Sequence, residues 1–287
     1  MIPAAFDYVR PRSVADAVAA LGSAGEDGKV LAGGQSLLPV LRLRMAYPSI
    51  LIDIGRIPEL RGVRDDGDAI VIGAMTTHHD VMYDELVGRY APLIAKATAT
   101  VADPQVRHRG TFGGSLAHAD PAGDLGAVAL ALGCELLVSG PAGERRLAAT
   151  DFFVDYLTTA LAPGELLTAV RVPKLGDGWS SHYEKFNRVA QAWSIVGVAA
   201  LVRLDGGTSI TEARVGLTNM GPTPLRATAT EAALAGAQAS RDAVTAAASH
   251  AAEGTHAPSD LSGRSDYRDH LARVLTARAV LAAIGSH

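Results

Sequence analysis

An α+β protein of more than one domain is what the sequence predicts, and three observations carry that reading. With 287 residues the chain exceeds the usual span of one core, so two or three domains are expected. Hydrophobic residues make up 48% of it but aromatics only 5%, so the interior is built from Ala, Val, Leu and Ile, a composition that favours helices packed on sheets. Strand and helix patterns alternate up to residue 175, whereas the remainder reads as antiparallel strands followed by helices. The expected units are residues 1–55, 56–175 and 178–287.

In the first unit, Ser13 with Asp16 three residues on gives a helix start, Val14, Ala17, Val18 and Leu21 share a face, and Gly22 is expected to close the helix. A strand over 29–32 runs into a glycine pair, and Ser49 to Ile54 reads as a buried strand ending at Gly55, a βαβ-like arrangement. The second unit opens with a turn at Asp65–Asp68 and a strand over 69–74, followed by helical stretches through Tyr90 and Ala99. Asp124 is placed to cap the apolar run Leu125 to Leu132. Strands around Leu136–Val138 and Leu166–Val172 complete this unit, and Pro173 with Gly176-Asp177-Gly178 supplies a linker. The third unit has a strand from Ser194 to Leu204, a turn at Asp205-Gly206-Gly207, a returning strand through Ala213–Leu217, and an alanine-rich helical end in which Leu271, Val274, Leu275 and Leu281 lie mostly on one side.

Composition excludes several functions. The 26 basic and 30 acidic residues, net charge −4, make no cationic field for a nucleic-acid backbone. Cys134 is the only cysteine, so the protein supplies no intrachain disulfide and no iron–sulfur ligand set; in its apolar run it reads as a core residue. The N-terminus lacks the pattern of a secretory signal and no run reaches membrane-spanning length, which leads to the expectation of a soluble, cytoplasmic protein.

Two glycine pairs 80 residues apart are the most informative motifs: Ala32-Gly33-Gly34-Gln35-Ser36 and Thr111-Phe112-Gly113-Gly114-Ser115. Glycine removes the Cβ atoms that keep a charged ligand off the backbone, and an adjacent hydroxyl adds a donor. Together they read as two jaws of a clamp for a diphosphate. Other chemistries lack their signatures. No Gly-x-Gly-x-x-Gly follows the first strand, Val30 after Gly28-Lys29 lacks a P-loop hydroxyl, and no Gly-x-Ser-x-Gly elbow occurs. His78, His79, Asp80, His108 and His118 show no metal-ligand spacing.

The strings Val30-Leu31-Ala32-Gly33-Gly34-Gln35-Ser36-Leu37-Leu38-Pro39, Arg109 to Asp124 (RGTFGGSLAHADPAGD) and Ser265 to Ala272 (SDYRDHLA) resemble the flavoprotein subunit of molybdenum hydroxylases, nearest the medium subunits of aerobic carbon monoxide dehydrogenases. The likeness spans nearly the whole sequence. It implies the fold shared with vanillyl-alcohol oxidase (the PCMH type), with FAD between two N-terminal α/β subdomains and a C-terminal α+β domain. It also implies that Val30 to Leu37 and Gly110 to Ser115 hold the pyrophosphate, that Asp124 accepts from ribityl or ribose hydroxyls, and that Thr77, Val101, Leu167, Lys185 and Trp193 lie near the flavin. A cation such as Lys185 would stabilise the charge gained on flavin reduction.

The sequence departs from the family pattern at Ser115, where asparagine is common, Phe112 (isoleucine), His108 (asparagine) and Ala192 (an acidic residue). The implied partners are a molybdenum-cofactor large subunit and a small subunit with two 2Fe–2S clusters, in a dimer of heterotrimers that delivers electrons to an external acceptor such as a quinone. No catalytic residue and no metal are expected on this chain. A self-contained FAD-dependent oxidoreductase, or a scaffold subunit that has lost FAD, are the alternatives the sequence leaves open.

Overall fold

In the computed structural model, which describes residues 2–206 and 208–285, the protein forms three main sheets with helices laid against them. The first holds three parallel strands, β1 (Asp7–Val9), β2 (Gly28–Leu31) and β3 (Ile50–Asp53), in the order β1-β3-β2. Helix α1 (Val14–Ala24) makes the crossover between β1 and β2, and the short α2 (Leu37–Arg42) follows the first glycine loop. The Ser13 hydroxyl accepts from the Asp16 amide at 3.1 Å, as the capping pattern predicts. Gly22 does not close this helix. It continues two residues further, to Ala24, because Gly25 adopts the left-handed φ of 56° that lets its amide reach back to Leu21 O.

The second sheet is antiparallel, with β4 (Val63–Asp66), β5 (Ala69–Gly73), β6 (Glu135–Gly140), β7 (Gly143–Ala148) and β10 (Leu166–Pro173) in the order β4-β5-β10-β6-β7. Between its strands run α3 (His78–Tyr83), α4 (Glu85–Tyr90), α5 (Pro92–Ala99), α6 (Pro104–Arg107), α7 (Phe112–His118), α8 (Asp124–Leu132), α9 (Ala149–Phe152) and a small hairpin of β8 (Phe153–Asp155) and β9 (Thr158–Thr159). Cys134 sits in this core, and burial pushes its thiol up to about 12, which leaves it an unreactive apolar filler.

The third sheet, β11 (Trp179–Phe186), β12 (Val196–Leu204), β13 (Ile210–Thr218) and β14 (Leu225–Arg226), is an antiparallel meander covered by α10 (Thr228–Leu234), α11 (Arg241–Ala248) and α12 (Ser265–Ala283). The expected hairpin is present, Gly197 pairing with Thr218 and Arg203 with Glu212; of its turn residues, Gly207 lies outside the described set. The strand begins at Val196 rather than Ser194, whose hydroxyl is turned to another use. Helix α8 lies between the second and third sheets, so Leu125, Val128 and Leu132 share one apolar cluster with Tyr183, Ala199 and Leu201.

Candidate functional site

The two glycine loops, remote in sequence, touch. A Cβ on Gly33 would collide with the Arg109 carbonyl oxygen and lie 2.9 Å from Gly110 Cα, so only glycine lets the first loop close on the second. Behind them the Ala74–His78 turn fixes the second loop: the Phe112 amide donates to Thr76 O and the Gly113 amide to Ala74 O, each at 2.9 Å, and the His78 amide donates to Gly110 O at 2.9 Å. Gly113 is required there too, since its Cβ would stand 2.6 Å from Ala74 Cα.

The jaws are not equivalent. In the second, the Gly114 amide donates to the Thr111 hydroxyl (3.2 Å) and the Ser115 amide to Thr111 O (3.1 Å), so with Phe112 and Gly113 all four amides of that turn are committed to protein acceptors. Phe112 itself is buried in the core. By contrast no backbone carbonyl among the described residues outside helices and ladders takes the amides of Gly33, Gly34, Gln35 or Ser36. A cavity of 220 Å³ opens between the loops, lined by Leu31, Ala32, Gly33, Thr77 and Thr111 of the expected residues. Arg10, Arg61 and Arg109 add positive charge to its wall, His108 adds a ring, and Asp53 is the one acidic residue among its described lining. Diphosphate oxygens would therefore meet unused first-loop amides and cationic side chains, with the second loop as a rigid backing.

A second centre surrounds Asp124. Its expected capping role is corrected by the structure: Gly123 is the N-cap of α8, Asp124 is the first helical residue, and its carboxylate caps nothing. Instead Oδ1 accepts from the Tyr183 hydroxyl (2.7 Å) and the Ser194 hydroxyl (2.5 Å), while Oδ2 accepts from Lys185 Nζ (2.8 Å). Lys185 also donates to Thr100 O at 3.1 Å, next to Val101. Both partners of the ion pair are nearly inaccessible, their side chains 6% and 5% exposed. Burial first, and then the Asp124 charge, push the Tyr183 phenol well above its ordinary value, so it stays a neutral donor.

Trp193 is half exposed beside this centre, its ring near Gly123 and 6.5 Å from that of His118, and it lines a larger cavity of 640 Å³ with Asp120, Tyr156 and Arg188. Leu167 is buried in the core on β10, and Val30 and Leu37 flank the first loop at the end of β2 and the start of α2. Sequence reasoning missed Arg10, Asp53 and Arg61 at the smaller cavity, Tyr8 that donates to Asp53, and Tyr183 and Ser194 around Asp124. One signal was available: Tyr183 and Lys185 are two apart in a strand and so share a face.

Cations and unused amides suit phosphate oxygens, and acceptor-only carboxylates suit hydroxyls, so the residues present fit a dinucleotide. Comparisons with known proteins agree. Residues 4–175 match the family model described as "FAD binding domain in molybdopterin dehydrogenase", and residues 181–283 match "CO dehydrogenase flavoprotein C-terminal domain". The carbon monoxide dehydrogenase medium chain of Hydrogenophaga pseudoflava is 42% identical over 99% of this chain and 98% of its own. The subunit alpha of the 6-hydroxypseudooxynicotine dehydrogenase complex of Paenarthrobacter nicotinovorans is 36% identical over 99% and 96%. A solved carbon monoxide dehydrogenase from Hydrogenophaga pseudoflava, lacking the Mo-pyranopterin moiety of the molybdenum cofactor, superposes with a TM-score of 0.96 at 44% identity, covering 99% of each chain. With both of its halves and its whole length matched, the chain belongs to the FAD-binding medium subunits of the molybdenum hydroxylases, a family of oxidoreductases.

Proposed function

We propose that this protein is the electron-transfer subunit of a cytoplasmic molybdenum hydroxylase, carrying electrons from the two 2Fe–2S clusters of a small subunit to an external acceptor such as a quinone, within a dimer of heterotrimers whose large subunit holds the molybdenum cofactor. The supporting observation is the pairing of an apposed glycine-loop cavity with a buried carboxylate–lysine centre. FAD, when bound, would supply the redox chemistry.

The protein's own residues do the binding. First-loop amides and Arg109 take the diphosphate, Thr111 and Gly113 hold the second loop against the Ala74–His78 turn, and Asp124 offers acceptor capacity to ribityl hydroxyls while Lys185 balances its charge. Trp193, standing in the open beside this centre, shields the ring or governs approach of an acceptor. Since relatives at 36–42% identity are named for carbon monoxide and for a nicotine-derived compound, this subunit does not set the substrate. No helix among the described residues is long and apolar enough to cross a membrane.

The test uses the complex purified from its host. Substrate should bleach the flavin absorbance, and a soluble quinone should restore it. Steady turnover of a small organic substrate by the isolated subunit would overturn the proposal.

A further inference from the structure

The parallel sheet has an edge that the glycine motifs do not account for. Strands β1 and β2 both pair parallel with β3, Val9 opposite Ile52 and Leu31 opposite Asp53. Arg10, the Ala32–Gly33 turn and Asp53 with Gly55 therefore emerge together at the carboxyl ends of the three strands, and all of them line the 220 Å³ cavity. In open sheets of parallel strands this edge is where ligands bind.

Asp53 is the anomaly of that cavity. A site for phosphate alone gains nothing from a carboxylate, which repels the anion and can only accept hydrogen bonds. This one is nonetheless held in place with care. Its Oδ1 accepts the Gly55 amide at 2.7 Å, and its Oδ2 accepts the Tyr8 hydroxyl and lies 3.4 Å from Arg10 Nε. These contacts fix the rotamer and offset the charge, while Oδ1 retains capacity for a second donor. A group able to use it must bring its own hydroxyl. Asp53 also stands 20 residues beyond Gly33, at the end of the strand next to the one that feeds the loop. An acidic residue at that separation and in that place is what dinucleotide folds set against ribose hydroxyls, because neighbouring strands are about 4.8 Å apart and a ribose adjoins its phosphate.

We propose that Asp53 binds the ribose hydroxyls of the adenosine half of the dinucleotide, with Tyr8 and Arg10 as positioning residues. The proposal rests on the FAD reading and divides its carboxylates: Asp53 serves the adenosine end and Asp124 the flavin end.

The experiment titrates the flavin-free full-length protein with FAD, FMN, ADP and 2′,3′-dideoxy-ADP. Wild type should bind ADP about 10-fold or more tightly than the dideoxy compound, the worth of a hydrogen bond to a charged group. Asp53→Asn should lose that preference and weaken FAD by a similar factor, with FMN binding unchanged. The wild-type comparison of the two nucleotides needs no variant, so a misfolded mutant does not spare the proposal. Equal affinity of wild type for both nucleotides, or an Asp53→Asn variant that still discriminates, overturns the assignment while leaving FAD binding intact. A wild type that takes up neither FAD nor ADP overturns the FAD reading and this assignment with it.

Discussion

Lys185 and Asp124 place opposite charges where water scarcely reaches, and the pair is completed by hydroxyls from Tyr183 and Ser194. Removing one member of a buried pair strands the other, at about 3–5 kcal/mol. Lys185→Met is therefore expected to lower the thermal midpoint markedly and reduce flavin content, where the sequence alone leads one to expect chiefly a change in flavin potential. A melt of the FAD-loaded variant together with its flavin-to-protein ratio checks this. His78 makes a separate, pH-dependent contribution. Its ring is almost wholly buried behind Gly110, Nδ1 has no partner among the described residues, and burial, with a smaller push from Arg107, lowers its pKa to about 4. The unfolded protein takes up this proton near pH 6.5, so the folded state holds the full contribution above that pH and loses it as pH falls towards 4. Roughly 3 kcal/mol should disappear across that window. Denaturant midpoints measured from pH 7 to 4 should fall more steeply for wild type than for His78→Leu; parallel curves would exclude the effect.

At the scale of elements, the glycine loops matter through their close approach rather than through local flexibility. Gly33→Ala pushes a methyl into the Arg109 carbonyl, which forces the loops apart at about 1–3 kcal/mol, as overpacking does. FAD affinity should fall at least 10-fold while the circular dichroism of the protein stays unchanged; retained affinity would show that the apposition is not needed. Much of this architecture is legible in residue pattern. Ser13 and Asp16 announce α1, the apolar run of Leu166–Val172 announces β10, and the small-residue strand with its glycine turn announces the β12–β13 hairpin. Elements without an apolar signal are not legible. Strand β7 is a charged edge strand exposed along most of its length, so no alternation marks it. Strand β1 is only three residues long. So short a strand leaves no pattern to read, and with it Arg10 and its place beside Asp53 stay hidden. The reassignment of Asp124 has a related cause: an acidic residue before an apolar run is the sequence signal of a cap, and only tertiary structure brings Tyr183, Lys185 and Ser194 round to claim it.

Across the whole molecule, the glycine-loop cavity and the Asp124 centre are tied together by packing rather than by a linker. Tyr183, Lys185 and Ser194, which donate to Asp124, all lie beyond residue 178, and α8 is shared between two sheets. Cofactor retention should then depend on both halves of the molecule. Ligand at 100 times its dissociation constant stabilises the state that binds it by about 2.7 kcal/mol, so FAD should raise the thermal midpoint by several degrees. The most direct measurement is a titration of the flavin-free full-length protein with FAD, followed by flavin fluorescence and by the flavin released on denaturation. Saturation at one FAD per protein molecule, absent or greatly weakened in Gly33→Ala, is the expected result; a folded wild-type protein that stays colourless at every FAD concentration would contradict it.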